Sequence, residues 1–355
     1  MNIELLARTE IRDLKPYETA RQAHGMVRLN ANEAPWPADG SSADGLNRYP
    51  EIRPLQLHTR LAAHYAVDPG MVLATRGSSE AIDLLMRAFC RAGTDNIIVS
   101  PPTFSMYRVY ADIQGAGTIT APLLADNNFA LDVSLVLEKC TPKTKLVFVC
   151  SPNNPTGGLV PLSSIRELAE ARVDRSLIVV DEAYAEYSEV PSAATLLAQY
   201  ENIVVLRTLS KAHSLAGARC GAVIASENLI HLLNRILAPY ALATPVIDCV
   251  LRSLAPETLQ RSNDAVRRVL EERERISRAL LQCPDVVKVW PSRSNFLLVQ
   301  FRNLLSVESR LSDAGILIRQ FRDEAALRNC ARVSIGKPRE NDLLLAALSR
   351  TLEGA

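Results

Sequence analysis

No stretch of this 355-residue sequence approaches the roughly 18 consecutive apolar residues that a membrane-spanning helix needs. Met1 to Arg12 carries a short apolar patch followed by charges and lacks the apolar core of a secretory signal. An excess of one charge is missing too. Lysine plus arginine number 40, aspartate plus glutamate 39, and the net charge of +1 is spread without a basic or acidic block. A nucleic-acid partner or an anionic membrane surface is therefore not expected. The seven cysteines (Cys90, Cys140, Cys150, Cys220, Cys249, Cys283 and Cys330) form no CxxC pair, and none stands at metal-ligand spacing from a histidine, so no metal site is expected. Odd in number and mostly in apolar surroundings, they read as buried, reduced thiols, and the expected compartment is the cytoplasm. Internal repeats and low-complexity tracts are absent.

What remains is an ordinary globular composition, 48% hydrophobic and 22% charged, on a chain too long for one small core. Leu146 to Cys150, Leu177 to Val180 and Asn202 to Leu206 are apolar runs bounded by polar residues. Runs apolar on both faces indicate buried parallel strands. Between the first two, Pro161 to Arg172 has helical periodicity, and Ser79 to Arg91 has it as well. Strand, helix, strand, repeated, predicts an α/β fold with a mostly parallel central sheet covered by helices. A long charged helix from about Asn263 to Leu281 precedes a change of pattern. Val286 to Val289, Phe296 to Phe301, Ile316 to Ile318 and Ala331 to Ile335 read as short strands, and Leu304 to Ala314 and Arg339 to Leu352 as helices. That is a smaller α+β unit. The expected division is an arm with part of the small domain over residues 1–30, a large domain over 31–262 and a small C-terminal domain over 263–355.

The most informative stretch is Thr208-Leu209-Ser210-Lys211-Ala212-His213-Ser214-Leu215-Ala216-Gly217-Ala218-Arg219. It sets a lysine beside a serine, with an arginine eight residues on. A lysine amine whose pKa is lowered by desolvation and nearby cations can hold an aldehyde as an imine. The serine and the guanidinium can both reach phosphate oxygens, the latter with two N–H groups. Asp181 follows a buried strand directly, and in open α/β sheets ligands bind at the carboxyl ends of strands. An anion there suits a protonated ring nitrogen, although an N-cap or loop aspartate is the commoner case. Tyr184 stands three residues later, where a tyrosine is usually packing. Ser151-Pro152-Asn153-Asn154-Pro155-Thr156-Gly157-Gly158 is a rigid turn after another buried strand, able to aim the Asn154 amide above the sheet. Gly77-Ser78-Ser79-Glu80 opens a helix, whose first N–H groups can hold an anion or simply be capped. Arg332 lies in an apolar strand-like run and Arg319 follows another. Each needs a carboxylate, a phosphate or a salt-bridge partner.

Taken together and in this order, these segments resemble the fold-type I pyridoxal-phosphate aminotransferases. Leu29 to Glu33, Arg48 to Glu51, Pro101 to Phe104, Ser151 to Gly157, Asp181 to Tyr184 and Thr208 to Gly221 carry the resemblance over nearly the whole chain. Ala238-Pro239-Tyr240, Thr244-Pro245 and the arm Lys15 to Arg21 are similar to the branch acting on L-histidinol phosphate. The resemblance implies a fold-type I architecture, pyridoxal 5′-phosphate as cofactor, and amino transfer between histidinol phosphate and 2-oxoglutarate, with glutamate as the other amino compound. Lys211 would bind the cofactor aldehyde and act as base. Asp181 would pair with the ring nitrogen, and Asn154 and Tyr184 would bond the phenolic oxygen. Ser78, Ser79, Ser210 and Arg219 would hold the phosphate, joined by Tyr49 across a homodimer interface. Phe104 would stack on the ring. Tyr17, Asn32, Arg319 and Arg332 would bind substrate. Phe104 stands where the family usually has tyrosine, and Gly77-Ser78-Ser79-Glu80 where Gly-Ala-Asp-Glu is usual. Three alternatives stay open: another aromatic or phospho-amine aminotransferase, a threonine-phosphate decarboxylase-like enzyme, and a cofactor-binding regulatory module without turnover.

Overall fold

Side chains along a strand alternate between the two faces of its sheet, and here both faces are covered. Leu146 and Phe148 enter one core while Val147 and Val149 enter another. Leu177 and Val179 likewise part from Ile178 and Val180. The computed structural model describes residues 3–17, 20–22, 26–37 and 45–349. Its larger sheet has seven strands: β1 (Val72–Thr75), β2 (Asn96–Val99), β3 (Gly117–Thr120), β4 (Thr144–Cys150), β5 (Leu177–Asp181), β6 (Ile203–Thr208) and β7 (Gly221–Ile224), in the order β1-β7-β6-β5-β4-β2-β3. β7 runs antiparallel to both neighbours, and the other pairings are parallel.

The helices are α1 (Thr9–Arg12), α2 (Leu55–Tyr65), α3 (Gly77–Phe89), α4 (Met106–Gln114), α5 (Val133–Lys139), α6 (Leu162–Ala171), α7 (Glu227–Asn234), α8 (Thr244–Ser253), α9 (Pro256–Leu281), α10 (Leu304–Asp313) and α11 (Pro338–Ser349). α3, α4 and α7 cover one face of the sheet, joined by Ile3 and Leu6 of the N-terminal segment. α2, α5, α6 and α8 cover the other. Among the described residues no helix is long and apolar enough to cross a membrane. All seven cysteines are free; Cys90, Cys150, Cys220 and Cys330 are buried and the other three half-buried.

The second sheet is antiparallel, with β8 (Val286–Val289), β9 (Phe296–Phe301), β10 (Arg319–Gln320) and β11 (Cys330–Ser334) in the order β10-β11-β9-β8. α10, α11 and the C-terminal half of α9 close its core. α9 links the two units: Val266 packs beside Tyr184 and Phe296, whereas Ile276 and Leu280 lie in the small core. It begins at Pro256, not near Asn263, because proline is well placed in a first turn, where its missing N–H costs no hydrogen bond. The strand expected at Ile316 to Ile318 does not form. Leu317 is 91% exposed while Ile316 and Ile318 turn into the small core, and pairing starts only at Arg319. The expected last residues of the final helix, Arg350 to Leu352, and Glu18 and Thr19 of the arm motif lie outside the described residues.

Candidate active site

Because β4, β5 and β6 are adjacent and parallel, their carboxyl ends reach the same edge of the sheet. Asn154 lies in the turn after β4, Asp181 ends β5, and Ser210 and Lys211 follow β6. β7 is antiparallel, so Arg219, just ahead of its first residue, returns to that edge, where α3 also begins. The result is a cleft of about 240 Å³ lined by Ser78, Ser79, Phe104, Asn154, Asp181, Tyr184, Ser210, Lys211 and Arg219, together with Cys150 and Thr208. Nine of the expected site residues therefore share one cavity.

Asp181 is 3% exposed. Burial pushes its carboxyl above the ordinary carboxylate range, and the nearby Glu182 adds to the rise. The O–H of Tyr107, 2.7 Å from Oδ2, and the N–H of Ala183, 3.1 Å from Oδ1, oppose it, as does Lys211. A buried carboxylate facing an open cleft is suited to a cationic partner. Tyr107 was not anticipated from sequence. It is a fully buried helix residue stacked on Phe148 at 4.6 Å, and nothing in the pattern of α4 separates it from ordinary core.

Lys211 opens onto the cleft with its Nζ 5.5 Å from the centre of the Tyr184 ring. Burial lowers its pKa, the cations Arg332 and Arg219 lower it further, and Asp181 opposes them. The amine is thereby biased toward its neutral, nucleophilic form. Thr208 Oγ1 donates to Ser210 Oγ at 3.0 Å, and Arg219 donates to Ser210 Oγ at 3.3 Å and to the Ala216 carbonyl at 3.0 Å. Arg219 itself is left-handed, with φ +55°. Gly221 lets these pieces meet. A Cβ there would lie 2.7 Å from the Arg207 carbonyl oxygen and 2.8 Å from backbone atoms of Gly77 and Ser78, so a side chain would push the start of α3 off the sheet. The α3 amino end, Ser210 and Arg219 make a cup fitted to a doubly charged anion.

The two asparagines of the turn divide the work. Asn153 holds the turn itself, accepting from Thr103 at 2.8 Å and donating to the Pro102 carbonyl and Thr156 Oγ1 at 2.9 and 2.8 Å. Asn154 faces the cleft and accepts from Arg332 Nη1 at 2.6 Å through Oδ1, leaving its NH₂ to donate to an oxygen in the cleft. The turn is also fixed to the small unit. Gly157, at φ +78°, accepts from the Arg293 N–H at 2.8 Å, and a Cβ on it would meet Ser292.

Arg332 is directly opposite Arg319 in the β10–β11 pairing. Its guanidinium stacks over Phe296 at 5.3 Å, and its buried Nε has no hydrogen-bond partner. Burial and the neighbouring Arg319 lower its pKa, against a rise from Tyr184. Like charges opposite one another are unfavourable, and an anionic group between these arginines relieves both that repulsion and the orphaned donor. Five expected residues do not line the cleft: the Arg319–Arg332 pair just described, and Tyr17, Asn32 and Tyr49. Tyr17 is 72% exposed and lines a separate hollow with Arg53, Asn234 and Pro239. Asn32 is exposed with φ +54°. Tyr49 stacks on Tyr240 at 4.6 Å, and its N–H is held by Glu33 at 2.8 Å. A group with a phosphate, an aldehyde and a basic ring nitrogen fits the cleft: the cup takes the first, Lys211 the second and Asp181 the third.

Residues 26–348 match the family described as aminotransferase class I and II. The chain is 44% identical over 348 residues to the histidinol-phosphate aminotransferase of Stenotrophomonas maltophilia (strain R551-3), covering 97% of this chain and 96% of that one. It is 43% identical over 347 residues to the protein of the same name from Xylella fastidiosa (strain 9a5c), covering 97% and 95%. Its fold is similar to the crystal structure of histidinol-phosphate aminotransferase from Sinorhizobium meliloti in complex with pyridoxal-5′-phosphate. The TM-score is 0.78 and the identity 25%, over 86% of this chain and 83% of that one.

Proposed function

The chain belongs to the class I and II aminotransferase family, and on that premise we propose that it moves an amino group between L-histidinol phosphate and 2-oxoglutarate, with pyridoxal 5′-phosphate as cofactor. The observation that carries this reading is the convergence of Lys211, Asp181, Asn154 and Arg219 on one cleft, with the Arg319–Arg332 pair beside it. The substrate is the one that the names of the relatives at 43–44% identity carry.

When bound, pyridoxal phosphate supplies an aldehyde that condenses with amines and a ring that draws electrons from the α-carbon. Ser78, Ser79, Ser210 and Arg219 would hold its phosphate, and Phe104 would cover the ring. Asp181 would keep a proton on the ring nitrogen, while the Asn154 NH₂ and Tyr184 O–H would donate to the phenolic oxygen. Lys211 Nζ would hold the aldehyde end and, once released by substrate, take the proton from the substrate α-carbon. Its lowered pKa suits that duty, because a base works best with a pKa near the working pH. Arg332 would bind the α-carboxylate of glutamate with its unpaired Nε and its Nη groups, and Arg319 would add a second cation for a phosphate monoester.

A homodimer is part of this reading. Met26, Val27, Leu29 and Trp36 are 66%, 86%, 91% and 79% exposed, and clustered exposed apolar side chains mark an interface. Tyr49 and Tyr17 of each chain would then serve the cleft of the other. The free cysteines are in keeping with a reducing cytoplasm. The test is steady-state kinetics with L-histidinol phosphate and 2-oxoglutarate, following glutamate. Parallel double-reciprocal lines are expected from a ping-pong cycle. Carbon dioxide evolved from a phosphorylated amino acid, with no glutamate formed, would overturn the assignment in favour of a decarboxylase.

A further inference from the structure

Behind the cleft, on the side of the sheet away from Asp181, three side chains gather that the proposed reaction does not use. His64, near the end of α2, Glu186, in the single helical turn after β5, and His213, two residues past Lys211, each turn one ligating atom into a common space. Those atoms lie within 4.8 Å of one another. The imidazoles meet edge to face with centroids 4.8 Å apart. The His213 side chain is 3% exposed, yet neither ring nitrogen has a hydrogen-bond partner, and Glu186 Oε2 has none either. His213 Nε2 and Glu186 Oε1 approach to 3.7 Å, an ion-pair distance too long for a hydrogen bond. A buried polar atom left unsatisfied is costly, so several together in one place point to a ligand.

The local charge favours a cation. Arg207 is the guanidinium of this cluster, and it is already shared between Glu182 Oε2 at 3.0 Å and Glu186 Oε1 at 2.7 Å. Two carboxylates thus face one fixed positive charge, and Glu186 keeps its second oxygen for another partner. Two imidazoles and one carboxylate are the donor set of a zinc-class ion; magnesium and calcium take oxygen donors. Around a tetrahedral ion with bonds of about 2.1 Å, donor atoms stand roughly 3.4 Å apart. The cluster needs only a modest contraction to reach that, and the half-buried His64 can supply it by rotation.

We propose that His64, Glu186 and His213 form a binding site for one divalent transition ion of the zinc class, with the fourth position open to water. An ion here would tie α2 to the turn that carries Lys211, since the Ser214 N–H donates to the Lys211 carbonyl at 3.1 Å and His213 lies between them. The site is independent of which amino compounds the cleft accepts.

The holoenzyme, freed of metal by chelator and dialysis, is titrated with Zn²⁺ by calorimetry and with Co²⁺ by visible absorption. One equivalent per chain is expected. The Co²⁺ bands should be those of nitrogen and oxygen ligation, without the intense sulfur-to-metal band that a cysteine gives. His64→Gln, on a half-buried helix position, and His213→Asn should each weaken binding at least about tenfold, or about 1.4 kcal/mol, and Cys249→Ser should leave it unchanged. Absence of stoichiometric binding overturns the site. So does binding that survives both histidine substitutions, or binding that shifts the cofactor's absorption while ignoring them, which places the ion on the cofactor.

Discussion

Tyr107→Phe tests how the fold sets the charge on Asp181. The substitution removes one oxygen and leaves the ring stacked on Phe148 and edge-on to Phe104 at 5.5 Å, so packing changes little. It takes away the 2.7 Å donor to Asp181 Oδ2, leaving the Ala183 N–H as the other direct donor among the described residues. A hydrogen bond to a charged group contributes about 1.5–3 kcal/mol, and about 1.36 kcal/mol corresponds to one pKa unit. Burial already holds the Asp181 carboxyl above its ordinary value, and the Tyr107 hydroxyl is the largest force pulling it back. Its loss therefore raises the folded-state pKa further.

The sign of the activity effect follows. In the role proposed for Asp181 the ionised carboxylate is the working form, so the acid limb of kcat/KM against pH should move upward. Below the original limb kcat/KM should fall roughly 10- to 100-fold, the equivalent of that hydrogen bond, and the loss should shrink as pH rises past the new limb. The assay is kcat/KM for L-histidinol phosphate with 2-oxoglutarate across the neutral range in wild type and variant. A uniform loss with an unmoved acid limb would refute the reasoning and reduce Tyr107 to core packing.

Lys211→Ala should lower kcat by about 10²–10⁴-fold, as expected on removing a positioned base, and should abolish borohydride trapping of cofactor on that peptide; trapping that persists would contradict its role. Arg319→Ala should cut kcat/KM for L-histidinol phosphate by roughly 10- to 150-fold, the equivalent of one charge-assisted hydrogen bond, with a much smaller effect on glutamate; equal losses would defeat the assignment. Gly221→Ala forces a methyl against three backbone atoms that cannot rotate away. Overpacking of this kind costs about 1–3 kcal/mol, so the urea midpoint should fall and cofactor affinity with it, since the displaced start of α3 is part of the proposed phosphate cup.

The parts of the fold legible in the sequence are those where burial leaves no ambiguity. β4, β5 and β6 sit in the middle of the sheet with both faces covered, and their runs are apolar throughout. β3, the edge strand Gly-Thr-Ile-Thr, is exposed at both ends and carries no such signal, and β1 and β7 are only four residues long. The half of the site that follows strand ends was legible for the same reason: Asn154, Asp181 and Lys211 sit where a parallel sheet presents ligands. Tyr107 was not. It meets Asp181 across 74 positions of sequence and comes from the helix face that faces β5. Strand parity explains the meeting after the fact, since Asp181 continues the side of Leu177 and Val179, which is the side α4 covers.

The arginine pair proposed for substrate depends on something a sequence pattern does not carry, the register of a two-residue strand. Arg332 could be singled out because a cation in an apolar run needs a partner. Arg319 lies on the same face only because β10 begins at Arg319 and pairs it with Arg332, and Gln320 with Ala331. A slip of one residue would turn Arg319 to the opposite face, and a strand over Ile316 to Ile318 would have moved the start of pairing upstream. What prevents it is the competing burial of Ile316 and Ile318 in the small core, which holds those residues out of the ladder. The placement of the Arg319–Arg332 pair is therefore set by apolar packing on the far side of the strand, so in the role proposed for that pair Ile318→Ala should weaken binding of the phosphorylated substrate without touching it. An unchanged KM for L-histidinol phosphate in that variant would separate the register of β10 from the packing beneath it.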